Sequence, residues 1–219
     1  MKKTAIILGA TGLTGSIILE KLINDDRYAE IKLFSRKEIE GTPTKVTQFI
    51  GDLLKLENFA ADFTADEVYC CIGTTTKKTP DKSLYKKIDF GIPVTAAQLS
   101  KTNGITSFLV ISALGADASS SIFYNKTKGE MEDAVLSEKI SKTHILQPSI
   151  IGGNRQEKRI GERIGLTVIK FLQPLFFGKL KKYAITEAED IALAMIKLAN
   201  SNTTKTRITS TEISNFKND

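Results

Sequence analysis

Tyr124 and Lys128 stand four residues apart in the run Phe123-Tyr124-Asn125-Lys126-Thr127-Lys128. That spacing puts both side chains on one face of a helix. An unperturbed tyrosine has a pKa of about 10 and exchanges protons poorly at neutral pH. A neighbouring ammonium favours the phenolate and lowers that value, bringing the phenol into the range of general acid–base work. Ser112, upstream at the end of an apolar run, has the hydroxyl needed to polarise a substrate carbonyl. Together the three residues suit hydride exchange at a small carbonyl or alcohol. Tyr124 would handle the proton, and Lys128 would tune it and hold a nicotinamide ribose. A solvated helix start explains the same pair in so lysine-rich a chain. Tyr28 and Lys32 repeat the spacing, but they are read as preceding the second strand, away from any cofactor edge.

A site of this kind needs a cofactor, and the start of the chain offers a place for one. The apolar run Ala5-Ile6-Ile7-Leu8 breaks into Gly9-Ala10-Thr11-Gly12-Leu13-Thr14-Gly15, and Leu13, Ile17, Ile18 and Leu22 then repeat with helical spacing. Strand, glycine-rich turn and helix in that order hold a dinucleotide pyrophosphate. Gly9 permits the turn, Gly12 removes a Cβ from the anion's path, and Gly15 lets helix and strand lie close. No Gly-Lys-Ser/Thr closes the turn, which excludes a Walker-type phosphate loop. A purely structural turn is the competing reading.

The rest of the chain must build the sheet that brings these groups together. Strands are expected near 4–9, 31–35, 46–50, 67–72, 106–112, 143–148 and 206–210. Helices are expected near 13–24, 55–61, 82–103, 124–140, 160–176 and 187–200. Alternation of this kind predicts an α/β fold in one domain, a doubly wound parallel sheet covered on both faces. Residues from about 149 are expected to add a small substrate cap. Ligands of such sheets bind outside the carboxyl ends of the strands. The second strand ends in Ser35-Arg36-Lys37, where an NAD site would usually place an acidic residue. A hydroxyl and two cations there suit a 2′-phosphate, so NADP(H) is the expected cofactor and NAD(H) the alternative. Arg36 as an ordinary surface residue is the other reading. Asp52 and Leu53 end the third strand, Asp52 either accepting from an adenine amino group or capping a helix. Gly73 and Thr74 end the fourth, beside the cofactor ribose.

Composition sets the outer limits. The 219 residues, 41% hydrophobic and 26% charged, describe an ordinary globular protein with a sizeable core. The net charge of +6 suits a phosphorylated cofactor and a small-molecule substrate. Lys77-Lys78, Lys86-Lys87 and Lys179, Lys181 and Lys182 form no continuous basic stripe, so nucleic acid is not an expected partner. No apolar run reaches membrane-spanning length, and no metal-ligand spacing occurs. His144 lacks an acidic or cysteine partner and reads as structural. Cys70 and Cys71 point to opposite faces of a strand and read as reduced thiols of a cytoplasmic protein. Nothing in the sequence signals an oligomeric state.

The glycine turn with Tyr124 and Lys128 resembles the atypical short-chain dehydrogenases/reductases. Cys70-Cys71-Ile72-Gly73-Thr74-Thr75, Gly115-Ala116-Asp117 and Lys128-Gly129-Glu130 are similar to the Tat-interacting-protein-like oxidoreductase branch. So is Asn154-Arg155-Gln156-Glu157 with Gly161-Glu162. The resemblance implies a Rossmann fold, NADP(H) and a Ser-Tyr-Lys site, with Pro148, Ser149 and Ile150 packing a loop on the nicotinamide. One departure is visible: Ser112-Ala113 stands where the branch tends to have two serines. The branch also includes regulatory and assembly proteins, so the fold alone does not establish turnover.

Overall fold

The computed structural model describes residues 2–153 and 184–217. Nine strands occur among them: β1 (Lys3–Leu8), β2 (Tyr28–Ser35), β3 (Val46–Ile50), β4 (Glu67–Cys70), β5 (Ser107–Ile111), β6 (Lys142–Gln147), β7 (Ile151–Gly152), β8 (Thr186–Glu187) and β9 (Arg207–Thr209). Seven form one sheet in the order β3-β2-β1-β4-β5-β6-β9, every neighbouring pair parallel. From β1 the chain winds outward through β2 and β3, then returns to the other side of β1 for β4, β5 and β6. The reversal opens a crevice between the carboxyl ends of β1 and β4. This is the Rossmann-like α/β fold expected from the alternation. Strand β2 begins at Tyr28, so Tyr28 and Lys32 lie within it rather than before it.

Helices cover both faces: α1 (Leu13–Ile23), α2 (Lys82–Lys86), α3 (Ile92–Thr102), α4 (Phe123–Ser137), α5 (Ala188–Ala199) and α6 (Ser210–Asn215). Strands β4 and β5 are buried along their whole length because both of their faces are covered. The two-residue period of a strand divides β1 between two cores. Ile7 packs with Leu22, Tyr69, Leu109, Ile191 and Met195, while Ile6 and Leu8 pack with Phe34, Val68, Phe108, Ala96 and Met131. Each large aliphatic side chain so buried contributes about 1.5–3 kcal/mol. Cys70 belongs to one core and Cys71 packs against the other, so the adjacent thiols diverge as their strand positions require. Burial pushes the Cys70 thiol up to about 11, which leaves it protonated and inert at neutral pH. The carboxyl end of α1 is closed by Lys45, whose ammonium donates to the carbonyls of Leu22, Ile23 and Asp25 at 2.7, 3.1 and 2.7 Å.

One expected helix is not continuous. Between α2 and α3 lies a π-helical turn, Lys87–Gly91. Pro93 explains it: proline has no N–H, and in a regular helix its ring meets the carbonyl of the fourth residue before it, Asp89. A widened turn relieves that contact. The segment expected as a helix over 55–61 is a 3-10 helix, Leu53–Phe59. The expected helix over 160–176 lies outside the described residues. Of the chain beyond 149, β9 pairs with β6 and α5 packs over the sheet, while β7 and β8 pair with each other as a short parallel ribbon.

Candidate cofactor and catalytic site

The glycine turn is built from close backbone approaches. Gly9 has φ +85°, and a Cβ there would stand 2.8 Å from the Cys71 carbonyl oxygen at the end of β4. A Cβ on Gly15 would stand 2.2 Å from the Gly9 carbonyl oxygen, so the helix can start this close to the strand only at glycine. The Gly12 N–H donates to the Gly9 carbonyl at 2.9 Å and closes the turn. Helix α1 follows with Gly12 as N-cap, no side-chain cap and no acidic residue in its first turn. Its first N–H groups and positive dipole end are thus presented to the crevice without a competing carboxylate. Thr11 and Gly12 are exposed there, Thr14 is buried, and Leu13 is held from behind. A Cβ at Gly153 would meet the Leu13 side chain at 3.0 Å. A Cβ-free turn leading into an uncapped helix start fits a pyrophosphate.

Along the rim, Ser35 Oγ donates to the Lys37 carbonyl at 2.6 Å and Arg36 is exposed, without an ion pair among the described residues. Asp52 caps the 3-10 helix, its Oδ1 accepting from the Leu54 N–H at 3.0 Å, and Leu53 is part of the core. The structural role weighed for Asp52 is therefore realised.

The other end of the crevice holds a buried ion pair. Lys128 Nζ lies 3.0 Å from Asp89 Oδ1, with the two side chains 5% and 1% exposed. Asp89 Oδ2 accepts the Thr74 N–H at 2.7 Å, tying the β4 loop to the same carboxylate. A Cβ on Gly73 would stand in ordinary contact, 3.5 Å from Asp89 Oδ1 and 4.0 Å from Lys128 Nζ, which places the β4 loop against this pair. Burial works against the Lys128 charge, yet Asp89 overrides it and holds the ammonium above the ordinary lysine range. One helical turn earlier, Tyr124 is 39% exposed. Burial pushes its phenol up, Lys128 pulls it down, and Asp89 opposes Lys128; the net direction is upward. This corrects the expectation that Lys128 would lower the Tyr124 pKa. Burial of the phenol outweighs the pull of the ammonium, and the Asp89 carboxylate adds to burial.

Ser112 is placed differently from its expected role. Its Oγ is buried and donates to Glu132 Oε1 at 2.6 Å. A hydroxyl has one proton, and this one goes to the carboxylate rather than to a substrate carbonyl. Glu132 also accepts from Gln147 Nε2 at 2.9 and 3.1 Å and from Arg207 Nε at 2.8 Å. The serine thus belongs to a buried network joining β5, α4, β6 and β9. Pro148 is buried and its carbonyl accepts the Leu114 N–H at 2.8 Å, while Ile150 stays exposed; both follow β6 at the ligand edge.

Asp89 lies buried on the widened turn that precedes Pro93. Glu132 was missed, although it stands four residues beyond Lys128 on the same helical face. Tyr85 was missed too: it is buried, its ring meets Phe123 edge-on at 5.4 Å, and burial followed by Asp89 pushes its phenol upward. His144 is structural, its Nδ1 bonded to the Lys205 carbonyl at 2.7 Å. Arg155, Gln156 and Glu157 lie outside the described residues, as do Lys179, Lys181 and Lys182.

A family model described as NAD(P)H-binding matches residues 9–151. Rat Protein HTATIP2 is 32% identical over 182 residues, 81% of this chain and 72% of that protein. Protein FMP52, mitochondrial, of Candida albicans is 33% identical over 171 residues, 75% of each chain. Among solved structures, a UDP-glucose 4-epimerase of Thermotoga maritima shares the fold with a TM-score of 0.71 at 14% identity, over 98% of this chain and 82% of that one. The Bordetella bronchiseptica enzyme WbmG, in complex with NAD, gives 0.68 at 14% identity over 95% and 73%. The expectation of a cytoplasmic protein is corrected by the fungal relatives, which are named mitochondrial. Two thiols on opposite faces cannot pair in any compartment, so they carry no information about location. The chain belongs to the NAD(P)H-binding family and, within it, to the atypical short-chain dehydrogenase/reductase branch.

Proposed function

We propose that the protein is an NADP(H)-dependent oxidoreductase of small carbonyl compounds in which Tyr124 is the proton donor. The observation that carries this reading is the half-exposed phenol standing one helical turn from a buried, fully compensated Lys128–Asp89 pair at the cofactor crevice. The turn from Gly9 to Gly15 would hold the pyrophosphate, Ser35 and Arg36 a 2′-phosphate, and Gly73, Thr74 and Lys128 the nicotinamide ribose. A reduced nicotinamide held by these residues would supply the hydride for a carbonyl carbon. As that carbon is reduced, its oxygen gains negative charge and takes the Tyr124 proton, giving an alcohol. The tyrosine then regains a proton from solvent through its exposed face. Keeping the phenol protonated at neutral pH favours its use as an acid, that is, in the direction of carbonyl reduction.

A Tyr124→Phe variant tests the role. Carbonyl reduction with NADPH is expected to fall by about 10²–10⁴-fold with NADPH affinity retained. Unchanged turnover would remove Tyr124 from the chemistry. Cofactor preference is tested by Arg36→Ala, which is expected to weaken NADPH by about tenfold or more and NADH far less. Equal losses would remove the 2′-phosphate assignment. A second reading, a cofactor-binding regulatory or assembly protein without turnover, is favoured by one observation: the Ser112 proton is committed to Glu132. It predicts that Tyr124→Phe leaves both cofactor binding and cellular function intact.

A further inference from the structure

Six large apolar side chains remain exposed among the described residues: Ile50, Leu54, Leu84, Ile122, Tyr124 and Ile150. Each stands at or after the carboxyl end of a strand, the edge where this fold binds ligands. Ile50, the last residue of β3, and Leu54 flank Asp52. The other four, Tyr124 among them, follow β4, β5 and β6. Two contacts bring their segments together. The Tyr85 ring of α2 meets Phe123 at the start of α4, and the Leu114 N–H bonds the Pro148 carbonyl, joining the segment before Ile122 to the one carrying Ile150. Leu84, Ile122 and Ile150 are 39%, 60% and 48% exposed. Exposed apolar side chains gathered at one edge mark a ligand groove more than a general surface.

Charge narrows the ligand. Among the described residues, three cations on the helices carrying Leu84 and Tyr124 are engaged: Lys82 lies 5.4 Å over the Phe123 ring, Lys86 pairs with Glu130 at 2.6 Å, and Lys128 pairs with Asp89. Lys126, two positions beyond Tyr124, lies on another face of the helix. A carboxylate or phosphate on the substrate would lose water here and compete with Glu130 or Asp89 for its partner.

The geometry points to a neutral carbonyl substrate with an apolar body, received by Leu84, Ile122 and Ile150 around the Tyr124 hydroxyl. This assignment rests on the oxidoreductase reading and specifies its substrate class. It is tested on the full-length chain loaded with NADPH, by calorimetric titration with straight-chain primary amides, which are not reduced, and with carboxylates of equal length. Amide affinity is expected to rise about three- to fourfold per added methylene, with each carboxylate weaker than its amide. Ile122→Ser is expected to flatten that dependence, and its melting temperature shows that the chain stays folded. Affinity independent of length, or carboxylates binding more tightly, would overturn the assignment; an unchanged slope in Ile122→Ser would remove Ile122 from the groove. Matching aldehydes are assayed in parallel. Amides that follow the trend while no aldehyde is reduced would sink the oxidoreductase reading and leave the apolar groove standing. Aldehydes reduced without regard to length would sink the groove and leave the oxidoreductase reading.

Discussion

Two clusters of tyrosine, lysine and carboxylate sit at opposite edges of the same sheet, and they are built from the same residue types. At the amino edge, Glu67 accepts from the Tyr28 and Tyr69 hydroxyls at 2.8 Å each and pairs with Lys3, while Asn200 Nδ2 donates to Tyr28 at 2.9 Å. At the carboxyl edge, Asp89 pairs with Lys128 beside Tyr85 and Tyr124. In the first cluster both phenols are buried and hydrogen-bonded to protein, so neither offers a proton to anything outside. In the second, both charges are buried, the lysine more deeply than Lys3, but one phenol reaches the crevice. Residue types are shared between a structural clasp and a candidate active site. What separates them is which edge of the sheet they occupy and whether a hydroxyl is left for a ligand.

The comparison is broken most strongly at the carboxylates. Asp89→Ala leaves the buried Lys128 ammonium without a counter-charge and is expected to cost about 3–5 kcal/mol in denaturant unfolding. Lys3 is about a third exposed and can hydrate when its partner is lost, so Glu67→Ala should lose less of its cost to an orphaned cation. Equal destabilisation by the two variants, apportioned by restoring each carboxylate as Asn or Gln, would show that burial of the cation is not what distinguishes them. A smaller effect is expected from the tyrosine of the clasp. Tyr28→Phe removes the hydrogen bond donated to Glu67 and the one accepted from Asn200, and is expected to cost about 1–3 kcal/mol while leaving NADPH turnover unchanged. Tyr124→Phe should show the converse, lost turnover with little change in stability.

The two clusters also mark how far sequence reading reaches. The glycine turn is legible because its conformation depends on Cβ-free positions a few residues apart, and the strands are legible because burial on both faces makes them continuously apolar. Tyr124 and Lys128 are legible as a pair for the same local reason. The sign of the Tyr124 shift is not, because it depends first on how far folding buries the phenol and then on Asp89 arriving from a different element. Its arrival is set by how Pro93 widens one turn. Ser112 is a second case: its hydroxyl is claimed by Glu132, and that contact exists only once α4 packs across β5, β6 and β9. The location in the cell was misread from cysteines whose geometry forbids pairing anywhere.

The central claim is that burial of the Tyr124 phenol, aided by Asp89, outweighs the pull of Lys128 and keeps the phenol protonated and ready to act as an acid. A phenol whose pKa lies above its ordinary value of about 10 is fully protonated below that value and loses its proton only as pH rises through it. The most direct measurement is therefore the pH dependence of kcat for carbonyl reduction by NADPH. The account predicts a rate that stays level from about pH 6 to about pH 9 and falls only beyond the ordinary tyrosine range. A limb descending between about pH 6 and about pH 9, present in the wild type and absent from the residual activity of Tyr124→Phe, would contradict it.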